Sequence, residues 1–315
     1  MKTKIFIDGS EGTTGLRINE RFKGREDVEL LPIAEEQRKD REERKRLINA
    51  SDITFLCLPD AAAEESVSLV KNDRVKIIDT STAHRTEENW AYGFPELSAE
   101  HRKKIAEGKR VAVPGCHATG FISVLYPLVH AGILTPDYPV SAFSLTGYSG
   151  GGKKMIAEYE SSDRNKELDS PREYALNQQH KHLKEMEKIV GLSRKPLFSP
   201  IVADYYSGMA VSVPLYMEYL KNCHSILELQ EFFADYYKNR ILIHVMEPGA
   251  EESLKGMLPG NGCSGWDGLR LYVTGNEERV IVSAHFDNLG KGASGAAIQC
   301  MNLMLGCPED KGLNL

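Results

Sequence analysis

The run Lys4-Ile5-Phe6-Ile7-Asp8 passes directly into Gly9-Ser10-Glu11-Gly12-Thr13-Thr14-Gly15-Leu16, with three glycines each separated by two residues. A short apolar strand that opens the chain and turns through such a loop into the amphipathic stretch Leu16 to Phe22 has few folds open to it. The pattern predicts a dinucleotide cradle at the start of a parallel sheet. Gly9 permits the tight turn, Gly12 lets a pyrophosphate approach the backbone, and Gly15 lets the helix pack closely on the strand. The spacing departs from the commoner G-x-G-x-x-G, and an ordinary strand-to-helix turn explains the same letters. Ser10, Thr13 and Thr14 are counted with the three glycines as cofactor contacts.

Apolar strands then alternate with helical stretches, at Lys4 to Asp8, Val28 to Ile33, Ile53 to Leu58, Val75 to Asp79 and Arg110 to Val113. This is the pattern of a parallel sheet wound with helices. Later runs at Ala142 to Thr146, Ala210 to Leu215, Ile241 to Val245, Leu269 to Thr274 and Arg279 to Ala284 predict a mostly antiparallel sheet. Helices at Leu176 to Val190 and Ser225 to Arg240 are expected to cover one of its faces. A chain of 315 residues exceeds the usual size of one core, so two domains are expected. The fold class is therefore read as α/β, a Rossmann-type parallel sheet followed by an α+β domain. The first domain covers residues 1–116 and is completed by a C-terminal helix within 289–315, and the second covers 117–288.

The net charge of −6 argues against a general nucleic-acid binder, which needs clustered positive potential. A few local cations still suffice for a small anionic substrate. The six cysteines are scattered without C-x-x-C spacing, which predicts a reduced protein and no metal site. With no signal-peptide pattern and no apolar stretch long enough to cross a bilayer, a soluble, cytoplasmic protein without a membrane partner is expected. The charged segment Glu35 to Leu47 reads as a solvated helix face. Arg38 and Lys39 follow the second strand, where dinucleotide folds contact the adenine ribose. Paired cations there suit a 2′-phosphate and favour NADP over NAD.

Pro114-Gly115-Cys116-His117-Ala118-Thr119-Gly120 places a thiol between the strand Arg110 to Val113 and the helical pattern from Phe121. Near a helix N-terminus, backbone N–H groups and the helix dipole favour thiolate, which makes Cys116 the candidate nucleophile; a small buried filler is the bland alternative. Of nine histidines, those in Gln179-His180-Lys181-His182 stand out, because two imidazoles flank a cation at the start of a helical run. Either fits a general acid/base, and an exposed basic turn explains them equally. Asp79 to Arg85 and Thr146 to Lys154 set small residues beside cations after strands, and either is able to hold phosphate. Arg85 is the better single choice, since one guanidinium grips phosphate in bidentate fashion. Asn288 to Gln299 reads as a glycine-rich loop feeding a final helix, its backbone approaching either a ligand or a neighbouring sheet.

These segments, with Tyr92-Gly93-Phe94-Pro95-Glu96-Leu97, Ser149-Gly150-Gly151-Gly152 and Glu185-Met186, resemble the shorter N-acetyl-gamma-glutamyl-phosphate reductases, relatives of the aspartate-semialdehyde dehydrogenases. The resemblance extends over nearly the whole chain. It implies a second domain that is catalytic and dimerising, a homodimer or homotetramer, NADP as cofactor, a nucleophile at Cys116 and histidine help from His180 or His182. It further implies cofactor contacts at Ser149, Gly150, Asn288 and Gly290, and substrate contacts at Arg85, Ser149 and Lys181. The implied reaction, in arginine biosynthesis, is NADPH-dependent reductive dephosphorylation of an acyl phosphate through a cysteine thioester. Three positions depart from the pattern of longer members: His117 replaces a tyrosine, Lys181 an arginine, and Ser207 an arginine before Gly208. Aspartate-semialdehyde dehydrogenase activity, a cofactor-independent cysteine hydrolase and a non-catalytic nucleotide sensor are the competing readings.

Overall fold

The computed structural model describes residues 2–315. It divides into two compact units, one of the residues up to Gly115 with Ala293–Leu313, the other of Cys116–Gly292 with Asn314–Leu315. The first unit runs β1 (Thr3–Asp8), α1 (Thr13–Phe22), β2 (Val28–Leu31), α2 (Arg41–Ala50), β3 (Ile53–Leu56), α3 (Asp60–Ser68), β4 (Lys76–Asp79), β5 (Ala91–Tyr92), α4 (Ala99–Glu107) and β6 (Arg110–Ala112). Its sheet has the order β2-β1-β3-β4-β6-β5 with every pair parallel. Strand order reverses between β1 and β3, so the loops leaving their carboxyl ends diverge and open a crevice there. Burial of Ile5 and Phe6 on opposite faces of β1, and of Ile18 and Phe22 one turn apart on α1, fixes this layering.

Two expectations change here. The strand expected to reach Ile33 ends at Leu31, because Pro32 has no N–H to continue a ladder. The charged segment is not one solvated helix. A single 3-10 turn at Glu35–Gln37 precedes α2, which starts where the Asp40 carboxylate accepts from the N–H groups of Glu42 (2.9 Å) and Glu43 (3.2 Å). Arg44 lies on the inward stripe of α2 with Leu47 and Ile48 and is buried. It meets both Asp8 oxygens at 3.2 Å through Nε, Glu65 at 2.8 Å and Ser66 at 2.6 Å.

The second unit runs α5 (Cys116–His130), β7 (Ser141–Gly147), α6 (Gly152–Tyr159), β8 (Arg172–Glu173), α7 (Leu183–Val190), β9 (Leu197–Ala203), β10 (Met209–Tyr216), α8 (Ile226–Tyr236), β11 (Ile243–Val245), β12 (Leu269–Gly275) and β13 (Arg279–Phe286). Its sheet is ordered β11-β12-β13-β10-β7-β9-β8. The β11–β12 and β7–β9 pairs are parallel and the other pairs antiparallel. Strands β8 and β9 are not among the strands expected from sequence. The helix expected over Leu176 to Val190 keeps only its second half, because Ala175 and Gln178 take left-handed backbone (φ 52° and 57°). Gln178 instead pairs through its amide with the backbone of Phe198, donating at 2.8 Å and accepting at 3.0 Å.

Helix α5 packs on the face of this sheet that carries Ser144, Phe198 and Val211. Gly120 makes the close approach possible, since a Cβ there would lie 2.5 Å from Val211 and 3.0 Å from Phe286. The opposite face leaves Phe143 (51%), Leu197 (67%) and Ile281 (44%) exposed. The last helix, α9 (Gly295–Met304), belongs to the first unit, where Ala297, Cys300 and Met301 share a core with Ile18 and Val111. The Lys76 ammonium donates to the carbonyl of Met304 at 2.7 Å and so satisfies the end of α9. No helix of the described residues is long and apolar enough to cross a membrane.

Burial of His285 on β13 pushes its pKa down to about 4. It is therefore neutral in the fold, whereas an unfolded chain takes up a proton near pH 6.5. Stability contributed by this neutral form is complete above pH 6.5 and is lost as pH falls toward 4, to a limit of about 3 kcal/mol. Urea titrations at pH 7 and pH 5 are expected to show a loss about 2 kcal/mol smaller in His285→Gln than in the parent. Equal losses in the two proteins would remove His285 as the cause.

Candidate active site

Cys116 is the first residue of α5 and half-buried. Pro114 and Gly115 end the preceding strand segment, and the apolar residues from Phe121 to Leu128 bury the helix on all sides. The thiol thus stands at the positive end of a fifteen-residue helix dipole. The turn after β13 lies against it: a Cβ on Gly292 would be 3.0 Å from Cys116 Cβ and 3.2 Å from the Asp287 carbonyl. That turn is held by Asp287, whose buried carboxylate accepts from the N–H of Leu289 at 2.7 Å, the Ser207 hydroxyl at 3.1 Å and the N–H of Gly265.

Around His117, the residue that follows the thiol, the chain gathers three histidines from two distant segments. The His117 ring lies 5.1 Å from that of His180 and 5.6 Å from that of His182, and the latter two are 4.7 Å apart. His180 Nδ1 accepts from the backbone N–H of His182 at 3.2 Å, so a neutral His180 carries its proton on Nε2. His182 is buried at the N-terminus of α7, whereas His180 is half-buried and Lys181 exposed. His117 is fully enclosed, bonded through Nδ1 to Ser144 Oγ and through Nε2 to Tyr174 Oη, each at 2.6 Å. Burial first, then the charges of His180 and Lys181, hold its pKa well below the usual histidine range.

Other residues named from sequence take less expected places. Asn288 is buried, accepting from the Gly208 N–H at 2.8 Å and donating to Ser149 Oγ at 3.0 Å, so it brackets two loops. Gly290 packs against Trp266 and Asp267, each 2.8 Å from where its Cβ would be, whereas Gly150 has 3.4 Å or more around the same position. Arg85 is buried in the first unit, donating through Nε to the Val113 carbonyl at 2.8 Å and through Nη2 to the Thr80 carbonyl at 2.9 Å. In the same loop Asp79 accepts from Ser81 and from His84 Nδ1 at 2.6 Å, and the His84 ring stacks on Trp90 at 4.1 Å. Ser144, Tyr174 and Arg44 escape sequence reasoning. Tyr174 lies six residues before His180, which is a local hint; Ser144 gives none.

In the first unit, Gly9, Ser10, Gly12, Arg38 and Lys39 line one cavity of 460 Å³ at the carboxyl ends of β1 and β3. Gly9 has φ +87°, and a Cβ on it would strike the Cys57 carbonyl; a Cβ on Gly15 would strike the Gly9 carbonyl. Arg38 bonds Glu11 at 3.0 Å and leaves its Nε buried without a hydrogen-bond partner, as is Thr13 Oγ1. A phosphate-bearing nucleotide fits this set: donors without acceptors, a cation pair, and backbone bared by glycine.

The sequence pattern of the semialdehyde dehydrogenase NAD-binding domain matches residues 4–105, and that of the semialdehyde dehydrogenase dimerisation domain matches residues 116–288. The chain belongs to the semialdehyde dehydrogenase family. N-acetyl-gamma-glutamyl-phosphate reductase 2 of Nostoc sp. is 44% identical to this chain over 321 residues, covering 99% of each chain. N-acetyl-gamma-glutamyl-phosphate reductase of Brucella anthropi is 44% identical over 310 residues, covering 97% of this chain and 99% of the relative. Aspartate semialdehyde dehydrogenase II of Vibrio cholerae, solved with ASA, shares the fold with a TM-score of 0.73 at 17% identity, over 97% of this chain and 99% of that one. Aspartate semialdehyde dehydrogenase of Candida albicans, solved with NADP, does so with a TM-score of 0.63 at 15% identity, over the same shares. At these identities the likeness to the two solved structures is one of fold.

Proposed function

We propose that the chain reduces N-acetyl-gamma-glutamyl phosphate to N-acetylglutamate 5-semialdehyde, with release of phosphate, in arginine biosynthesis. The observation that carries this reading is Cys116 at the head of α5 beside the His180 turn, in a chain 44% identical along its length to reductases named for that substrate. Cys116 thiolate attacks the acyl carbon, the bond from that carbon to the phosphate oxygen breaks, and a thioester remains on the sulfur. The chemistry a nicotinamide would supply when bound is a hydride, which a thioester carbon accepts more readily than a carboxylate does. The Nε2–H of His180 hydrogen-bonds to the developing alkoxide, and the N–H groups of the first turn of α5 stabilise the same oxygen. Collapse of the tetrahedral alkoxide, its C=O re-forming as the C–S bond breaks, releases the aldehyde and restores the thiolate. His182, buried at the head of α7, fixes His180 through its backbone.

The cofactor is read as NADP, held at Gly9 to Gly15 with its 2′-phosphate on Arg38 and Lys39. Arg38→Ser is expected to raise KM for NADP about 10- to 100-fold, the worth of a charged hydrogen bond, and to change KM for NAD less than about threefold. Equal effects on both cofactors would move the 2′-phosphate elsewhere. Exposed Phe143, Leu197 and Ile281 on the free sheet face support self-association of the dimerisation domain as a homodimer or homotetramer. A monomer by light scattering at micromolar concentration would remove that reading.

The activity is tested in the reverse direction by following phosphate-dependent reduction of NADP with N-acetylglutamate 5-semialdehyde and with aspartate semialdehyde. The N-acetylated aldehyde is expected to give the higher kcat/KM. The opposite ranking transfers the chain to aspartate-semialdehyde chemistry.

A further inference from the structure

The cavity at the carboxyl ends of β1 and β3 is lined by three cations, Arg38, Lys39 and Arg44, and by three carboxylates, Asp8, Glu11 and Glu65. Its formal charges balance, so a phosphate dianion is held there only where one of the ion pairs opens. The Arg44 pair is closed to it, since Arg44 is buried against Asp8 at 3.2 Å and its departure would strand a buried carboxylate. The Arg38 pair is open. Its Nη2 meets Glu11 at 3.0 Å with the two side chains 34% and 49% exposed, and its Nη1 stands 3.8 Å from Glu35. An ion pair so wetted exchanges partners at small cost. Glu11 reaches Arg38 from the glycine turn itself, where the Gly12 N–H donates to the Gly9 carbonyl at 3.1 Å and sets Ser10 and Glu11 at the centre of the turn. Folds that bind NAD place a carboxylate after the second strand for the ribose hydroxyls. Here β2 ends at Leu31 and is followed by Pro32, Ile33 and Ala34, so the carboxylate bonded to this cation comes from the first turn instead.

We propose that Glu11 sets the margin by which this chain prefers a 2′-phosphorylated adenine ribose: it holds Arg38, gives it up to a 2′-phosphate, and keeps it when the ribose carries only a hydroxyl. The proposal rests on the reading of Arg38 as the 2′-phosphate contact. A guanidinium turned toward the phosphate leaves the Glu11 carboxylate facing an added dianion without the Arg38 charge between them. NADP therefore bears a penalty that NAD escapes. The buried Nε of Arg38, which has no hydrogen-bond partner, gives the incoming phosphate a second donor on the same side chain, so the exchange replaces one bond to Glu11 with two to phosphate. Exposed Lys39 adds its charge to the phosphate without an exchange of this kind. Glu11 is in this sense a specificity-determining residue: Arg38 creates the preference for NADP, and Glu11 narrows it.

The test titrates NADP and NAD into the full-length protein by calorimetry and compares the ratio of their Kd values, a readout that needs no turnover. Glu11→Gln, which keeps the shape and removes the charge, is expected to lower Kd for NADP about tenfold and Kd for NAD by no more than about threefold, so the ratio widens. Glu35→Gln takes a carboxylate from the other side of the same guanidinium, outside the cavity lining, and should move the ratio less than about twofold. In an Arg38→Ser background, where no pair is left to exchange, Glu11→Gln should also move it less than about twofold. An unchanged or narrowed ratio in Glu11→Gln overturns the proposal. So does a widening of equal size in Glu35→Gln, or in the Arg38→Ser background, since general repulsion rather than the exchange of Arg38 would then be at work. A parent in which Arg38→Ser leaves Kd for NADP unchanged sinks the reading of Arg38 itself, whereas a parent that needs Arg38 but ignores Glu11 sinks only this proposal.

Discussion

Cys116→Ala is expected to lower kcat for phosphate-dependent aldehyde oxidation by about 10⁴-fold or more, the usual cost of removing a nucleophile that forms a covalent intermediate. The reason is chemical. Without sulfur the acyl group never becomes a thioester, and no binding energy elsewhere replaces that bond. Cys116→Ser should fare little better, since a serine hydroxyl keeps the size but does not ionise near neutral pH at the head of a helix. The thermal midpoint is expected to move by no more than about 2 °C, because the residue is half-buried and opens α5 without supporting its core. Quenching the parent enzyme during turnover with labelled acyl phosphate should leave label on the Cys116 peptide. Retention of more than about one hundredth of kcat in the alanine variant contradicts the covalent route.

Arg44→Ala is expected to cost about 3–5 kcal/mol of stability, a large share of what a domain has. Arg44 and Asp8 are 6% and 3% exposed, and the guanidinium supplies most of the hydrogen bonds that offset burial of the Asp8 carboxylate. Removing it leaves a buried anion with the Ser66 hydroxyl at 2.8 Å as its remaining side-chain donor. Because Asp8 directly precedes Gly9, the loss should loosen that turn and weaken binding of the nicotinamide cofactor as well. Urea denaturation of Arg44→Ala and of the double variant Arg44→Met with Asp8→Leu separates the two contributions. The double variant should recover most of the loss, since an apolar pair of similar volume avoids the uncompensated charge. A cost below about 1 kcal/mol in the single variant would mean that the carboxylate finds water or another donor.

Strands β1 to β4 and β6 were legible from sequence because each is a short apolar run closed by a turn residue, a signal contained within a few positions. The cradle and the Cys116 turn were legible for the same reason: glycines at fixed short offsets after a strand say where backbone must bend and where it must lie bare. Strand β9 was not, since Leu197-Phe198-Ser199-Pro200 carries a proline and takes its pairing from distant β7, Ser141 facing Leu197. Helix α7 began late because two left-handed residues upstream serve contacts that no helical period reveals.

The chain's own letters therefore carried most of the order of elements, the glycine turn after β1 and the place of Cys116 at the head of a helix, all of which depend on interactions between near neighbours. Tertiary structure alone chose which of thirteen charged or polar letters on α2 and its approach goes inside, and that His117 sits between Ser144 and Tyr174, 27 and 57 positions away. It also decided that Asn288 holds loops 80 and 139 residues distant. Such pairings follow from how sheets and helices close on each other, where burial makes every polar group find a partner irrespective of its distance along the chain.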